Sequence, residues 1–478
     1  MPNPEHMALL FSPEWNAWRL RNTNVTPDLT DADLAGRDLA GKDLRYSDLS
    51  HANLAGTSLS GADLSRATFF ENPMTGLSAP GANFEYCNLD YLDFSNTFLA
   101  GARFQSASLQ ACSLKGANLA GANLSRARLD GADLSGANLA GAVLPGVSFR
   151  GVRTTGAQFD GADLARSSFE GVVMAQGSFP NACFDGANLK SADFSGADLR
   201  RAKFQGASLR QAALNAANCE GADFTEADLE MASAVEADFS GAQFDRAKLR
   251  KTDLRKAIFL DAVGRDVNFS EARLVEVDLR SSRFESANFQ SANLSGTVFS
   301  RANLKAHSFA GARFPHADFS EINAEGVNLS RADLSLGNFR MANLKRANLS
   351  GCRGFDADLS GTLLIGANFT EAALQEADLR FARAIGADFT GANLDGADLA
   401  NADLSEAIFK KARIWGATAH RIKPPRGLSF LFSLSTTFSK AKEKKTKVAD
   451  VKDQARRKRI AELEAEADHK PPHLTGRR

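Results

Sequence analysis

From Leu29 onward every fifth residue is apolar, and the frame runs without a slip through Leu34, Leu39 and Leu44 to Phe409 and Ile414. Leu, Phe or Ile holds the position except at Met74, Ala79, Thr154, Met174, Cys219, Ala234, Gly264, Ala324, Gly354 and Ala384. Two residues earlier Ala predominates, and the residue between favours Asp and Asn, as in "GADLSGANLAGAVL" at 131–144. Neither standard element accommodates this period. A helix would rotate each apolar residue by about 140° per repeat and smear the stripe round the cylinder. A straight strand fails because five is odd, so successive leucines would point to opposite faces. The chain must turn once per repeat, returning each Leu or Phe to one inward direction. The repeat, and not the 478-residue length, therefore sets the architecture: a solenoid.

The number of repeats per coil follows from two further patterns. Phe recurs twenty residues apart in runs: Phe184, Phe204, Phe224, Phe244; Phe299, Phe319, Phe339; Phe369, Phe389, Phe409. Opposite charges do the same, in Glu226 and Arg246, Asp228 and Lys248, Glu230 and Arg250, and Glu236 and Lys256. Asp245 and Arg265, Lys251 and Glu271, Asp253 and Arg273, and Lys256 and Glu276 continue the series. A coil of four repeats stacks these partners at the spacing of neighbouring strands, about 4.8 Å.

With "GANLAGANL" at 116–124, the chain resembles the pentapeptide repeat proteins over residues 28–414. The resemblance implies an all-β solenoid, a right-handed quadrilateral β-helix with the central residue and the one two before it pointing inward. The expected organisation is a cap with a short helix at 1–27, the β-helix at 28–414, and an apolar segment with a basic, partly helical or disordered tail at 415–478. The rod would be roughly 90 to 95 Å long. Coils are held by backbone and side-chain ladders, such as Asn268, Asn288, Asn328, Asn348 and Asn368.

At the N-terminal end, "SPEWNAWRLRN" reads as a helix with Ser12 at the N-cap, Pro13 in the first turn and Glu14 near the positive end of the dipole. Trp15 and Trp18 share one face and form a lid over the first coil. At the other end, residues from 421 onward carry 16 Lys and Arg against 7 Asp and Glu, so the remainder carries a net of about −9. "LSFLFSLSTTF" is too short to span a bilayer. Either Leu428, Phe430, Leu431 and Phe432 cover the last coil, or the segment joins the cations Arg456, Arg457, Lys458 and Arg459 on an anionic membrane or polyanion. With no signal peptide or membrane span evident, a cytoplasmic setting is the expectation, and the tail leaves open a peripheral membrane or exported effector.

No catalytic, cofactor-binding or metal site is expected. The histidines and the five cysteines lack ligand spacing, and no phosphate-binding loop occurs. His307 and the cysteines Cys87, Cys112, Cys219 and Cys352 fall at inward positions, which leaves Cys183 as the one outward thiol. The phrase is broken most clearly at 69–99, around Pro73, Met74, Ala79 and Pro80. Here Phe70, Tyr86, Tyr91 and Phe98 face outward, and Tyr46 shares an edge with Tyr86. These five aromatics are the candidate partner-binding patch, the alternative being local repacking of the rings. The leading function is a non-enzymatic scaffold presenting rigid faces to a protein partner. The best-understood branch of the family implies an alternative, a DNA-mimicking modulator of type II topoisomerase, for which Asp358, Asp378 and Asp398 supply one acidic ladder.

Overall fold

The computed structural model describes residues 1–305 and 307–425. Its unit is one tight turn. The Leu29 carbonyl accepts from the Ala32 N–H at 3.1 Å, and Asp31 sits at φ 60°. An i to i+3 hydrogen bond with a left-handed third residue is the signature of a type II turn. That turn recurs at nearly every repeat, its left-handed corner held by Gly36 and Gly41 and, without glycine, by Tyr46 and His51. The three residues between corners are extended, and the middle one pairs in parallel with the residue twenty positions on, from Asp28↔Asp48 to Asp403↔Lys423. Four turns per coil give four flat sides. The ladder continues past Ile414 through Asp398↔Thr418 to Lys423, beyond the boundary read from the apolar frame. At about 4.8 Å per coil the stack is about 95 Å long. Within it, strand β1 (Val263–Arg265) pairs in parallel with β2 (Arg283–Glu285), setting Gly264 opposite Phe284.

The core is one continuous column of central Leu and Phe with the inward Ala residues. Phe rings stack coil upon coil: Phe184 on Phe204 at 5.1 Å and 1°, Phe204 on Phe224 at 4.8 Å and 4°, Phe224 on Phe244 at 5.2 Å and 8°. The strand spacing thus sets ring spacing in the stacking range, worth about 0.5 to 1.5 kcal/mol per pair beyond area burial. Polar residues at the inward Ala position mostly reach the preceding coil, although Thr97 and Thr362 instead bond the Phe94 and Leu359 carbonyls of their own turns. Thr57, Cys87, Ser167, Thr252 and Thr297 each donate to the carbonyl of a central residue 23 positions earlier. A buried hydroxyl or thiol is therefore tolerated because the neighbouring coil or its own turn presents an acceptor.

The N-terminal lid has two helices. Besides the one expected, α1 (Pro4–Leu10) is capped by Asn3, whose side chain accepts from the Glu5 and His6 amides, with Pro4 at the first position. The second, α2 (Trp15–Arg21), has Glu14 as its N-cap residue, with no side-chain cap; Ser12 lies further out and its Oγ accepts from the Glu14 N–H at 3.3 Å. The rings of Trp15 and Trp18 do share a face, 5.3 Å apart, and Trp15 is fully buried. The lid satisfies the open edge of the first coil. Asn16 accepts from the Asp43 N–H at 2.8 Å and His6 from the Asp28 N–H at 3.0 Å, while Trp15 Nε1 and Asn16 Nδ2 donate to the Asp43 and Gly41 carbonyls. The bonds to the Asp28 and Asp43 amides and to the Asp43 carbonyl replace rungs that no earlier coil exists to make.

Of the stacked charges, Glu226–Arg246, Glu230–Arg250, Lys251–Glu271, Asp253–Arg273 and Lys256–Glu276 form ion pairs at 2.5 to 3.9 Å. Three others are adjacent in sequence logic but engage elsewhere. Asp228 meets Arg210 at 3.2 Å, Arg265 meets Glu285 at 3.2 Å, and Lys256 takes Glu276 in place of Glu236. Lateral freedom at exposed corners lets a long side chain choose between coils, and such pairs are individually weak.

Candidate functional site

The aromatic break is built on a repaired defect. Pro73 has no N–H for the Ala52 carbonyl, and among the described residues no bridge joins Asn53 to residue 73. Asn72, at the inward position, replaces the missing donor: its Nδ2 lies 2.9 Å from the Ala52 carbonyl and 2.6 Å from that of Leu49, and its Oδ1 accepts from the Phe70 N–H at 2.8 Å. The coil therefore stays closed, with Met74 and Ala79 buried on the axis.

Two corners flank the side that carries Asp48, Thr68 and Asn88. On one, Arg66 lies between two rings, its guanidinium 5.9 Å from the Tyr46 centroid and 4.7 Å from that of Tyr86, a cation–π ladder spanning three coils. On the other, Phe70 meets His51 edge to face at 5.1 Å, His51 Nδ1 lies 3.6 Å from Glu71, and Tyr91 follows one coil on. These rings are not repacked inward: Tyr46, Phe70, Tyr86 and Tyr91 are 50%, 56%, 55% and 82% exposed. Phe98 is also exposed, but it bridges Ser78 and Asn118 two sides further round the coil, on the opposite face. Four of the five candidate aromatics thus border one side, and Phe98 stands apart.

That opposite face carries the acids. Asp198, Asp238, Asp278, Asp318, Asp358, Asp378 and Asp398 share one column of the ladder, and Asp358↔Asp378↔Asp398 are consecutive rungs. No Lys or Arg occupies this column from Asp38 to Thr418. Arginines reach it from the adjoining corner: Arg200 to Asp198 at 2.6 Å, Arg280 to Asp278 and Arg380 to Asp378 at 2.5 Å. Hydrogen bonds from these guanidinium groups hold the Asp198 and Asp278 carboxyls below the usual range.

The thiols and histidines offer no comparable constellation. Cys87, Cys112, Cys219 and Cys352 are free and buried, and burial pushes the Cys87 thiol up to about 12. Cys183 is half-buried on its face, and desolvation raises its thiol too, which opposes thiolate reactivity. His307 is buried, with Nδ1 2.9 Å from the Lys305 carbonyl, and desolvation lowers its pKa. Among the described residues no group of His, Cys, Asp and Glu is placed to hold a metal ion, and no helix is long and apolar enough to cross a membrane. The proposed roles of Leu428, Phe430, Leu431 and Phe432 and of Arg456, Arg457, Lys458 and Arg459 lie outside the described residues. Sequence reading missed a further feature, the parting of the coils between residues 279–286 and 299–305; its signal was the pair of polar residues Ser282 and His307 at inward positions.

Comparison with known proteins fits this geometry. The family described as "Pentapeptide repeats (8 copies)" matches residues 28–69, 81–116, 112–151, 155–190, 192–230, 222–261, 265–301, 312–351, 355–391 and 387–421. No curated protein matches the chain. Among solved structures, similarity is found to HetL, a pentapeptide repeat protein involved in heterocyst differentiation regulation from the cyanobacterium Nostoc sp. (27% identity, 46% of this chain and 88% of that one, TM-score 0.19). A pentapeptide repeat protein from the Arabidopsis thaliana thylakoid lumen is 27% identical over 27% of this chain and 67% of its own, with a TM-score of 0.13. QnrB1, a plasmid-mediated fluoroquinolone resistance protein, is 19% identical over 52% of this chain and 89% of its own, with a TM-score of 0.22. The matched segments trace most of the ladder from residue 28 to residue 421, and the chain accordingly belongs to the pentapeptide repeat family, its body a right-handed, β-helix-like solenoid.

Proposed function

We propose that this protein is a non-enzymatic interaction scaffold that docks a protein partner through the aromatic corners of its first coils. The observation that carries the reading is the Tyr46–Arg66–Tyr86 ladder beside Phe70 and Tyr91, large rings left in solvent on a rigid frame. Aromatic and Arg side chains dominate binding hot spots, and preorganised ones lose little entropy on docking. The aromatic corners flank a flat side of the rod and not the concave, water-excluding pocket that catalysis uses. The test is affinity capture with the wild type and with Tyr86→Ala/Tyr91→Ala. Loss of a specific protein by the double variant, at unchanged thermal stability, supports the scaffold; an unchanged set of captured proteins refutes it.

A second reading, modulation of a type II topoisomerase by DNA mimicry, is favoured by the acid-only column. Seven carboxylates across ten ladder steps, at about 4.8 Å each, give roughly one charge per 7 Å on that face. Duplex DNA carries one per about 1.7 Å. With arginines clamping Asp198, Asp278 and Asp378, this face is the weaker mimic, so the aromatic scaffold is the primary reading. Inhibition or drug protection in a gyrase supercoiling assay, abolished by Asp358→Lys/Asp398→Lys, would reverse that order; no effect on supercoiling removes the second reading.

A further inference from the structure

At Ser281 and Ser282 the wall is open. Along the corner column Asp261, Ser281, Arg301, the outer two are left-handed at φ 55° and 65°, whereas Ser281 is not. Ser282 stands where Ala is usual and its Oγ donates at 2.7 Å to the Leu279 carbonyl of its own turn; Thr97 and Thr362 bond in the same way but are buried, whereas Ser282 is half-exposed. Among the described residues no bridge joins Arg283 to Asn303, although the ladder is intact on either side at Val263↔Arg283 and Asn303↔Asn323. The coils part there and leave a cleft of about 530 Å³.

That volume lies within the range of small-molecule sites, about 300 to 1,000 Å³. The floor is apolar core: Phe284, Phe289, Phe299 and Leu304. The mouth is basic, with Arg280, Arg283, Arg301 and Lys305 against the single acid Glu285. Four of these five charges are already engaged: Arg280 with Asp278, Arg301 with Glu321 at 3.1 Å, Lys305 with Glu325 at 3.3 Å, and Glu285 with Arg265 at 3.2 Å. Arg283 is exposed and, among the described residues, has no ion-pair partner. An apolar floor beneath an unneutralised guanidinium, in a mouth of positive balance, selects a ligand with both characters.

We propose that the parted coils at residues 279–286 and 299–305 form a binding site for a small organic anion, an aromatic or aliphatic body lying on the Phe floor with one carboxylate or sulfonate on Arg283. The Ser281–Ser282 corner, which lacks the left-handed turn of its neighbours Asp261 and Arg301, holds the site open.

The probe is 8-anilinonaphthalene-1-sulfonate, an apolar aryl sulfonate whose fluorescence rises on entering such a cleft, titrated into the full-length protein. The wild type is expected to give a saturable, blue-shifted signal with one site per chain. Ser281→Gly/Ser282→Ala restores the usual corner, should melt no lower than the wild type, and is expected to abolish the signal. Arg283→Glu is expected to weaken binding at least tenfold with unchanged circular dichroism. The absence of a saturable signal in the wild type, its persistence in the closed-corner variant, or an unchanged Kd for Arg283→Glu would each overturn the site.

Discussion

Asn72 Nδ2 lies 2.9 Å from the Ala52 carbonyl, the acceptor that the N–H of residue 73 would reach were residue 73 not proline. Side chain and backbone have exchanged roles, and the exchange is testable as a cycle. Asn72→Ala leaves the buried Ala52 carbonyl and the Phe70 amide without partners and is expected to cost about 1 to 3 kcal/mol. Asn72→Ala/Pro73→Ala restores the backbone donor and should recover most of that loss, measured as denaturant midpoints. Full additivity of the two changes would show that Asn72 does not substitute for the missing N–H.

The Phe column predicts strong dependence on size and weak dependence on shape. Phe204, stacked between Phe184 and Phe224, should lose about 3 to 5 kcal/mol as Phe204→Ala. Phe204→Leu should lose far less, because Leu fills the same column at Leu124, Leu144 and Leu164. Guanidinium unfolding of both variants distinguishes the two costs.

Corner residues predict opposite signs for glycine exchange. Met231 holds a left-handed corner at φ 62° with its side chain about half-exposed, so Met231→Gly should stabilise by about 1 kcal/mol. Gly121 is at φ 64° with open space where a Cβ would lie, so Gly121→Ala should destabilise by a similar amount through backbone strain alone. Equal melting temperatures for the pair would contradict the turn assignment.

His307 makes stability depend on pH. Burial lowers its pKa below the unfolded value near 6.5, so between the two values the unfolded chain binds a proton that the folded chain does not. Its contribution is complete above about pH 6.5 and is lost as pH falls through the folded pKa. The urea midpoint of the wild type should therefore drop between pH 7.5 and 5.5 more than that of His307→Ala. Parallel curves would place the titrating group elsewhere.

The axis of the rod was legible because a single periodic requirement dominates it. A slip of one residue would expose every Leu and Phe from Leu29 to Ile414, so the register is written in each repeat, and the twenty-residue coil in Phe184, Phe204 and Phe224. The ends and breaks were less legible. Helix α1 has seven residues, too few for a periodic signal, and its function lies in single contacts such as His6 with the Asp28 amide. The candidate aromatics were visible as rings at outward positions, but their sequence proximity did not show that Phe98 lies half a coil away, opposite Asn88. The cleft was hidden because Ser281 suits any outer corner and small polar residues such as Thr57 and Ser167 fill the position of Ser282 in closed coils; only the backbone at Ser281 and the missing rung to Asn303 reveal it.

The central claim, that the first coils dock a partner through their aromatic corners, is tested most directly by site-specific photo-crosslinking. A photoreactive phenylalanine analogue placed at Tyr91 and, as a control remote along the rod, at Ser195 is irradiated in cells. The account predicts a discrete protein adduct from position 91, reduced by Tyr46→Ala/Tyr86→Ala, and none from position 195. No adduct at 91, or the same adduct from both positions, would contradict it.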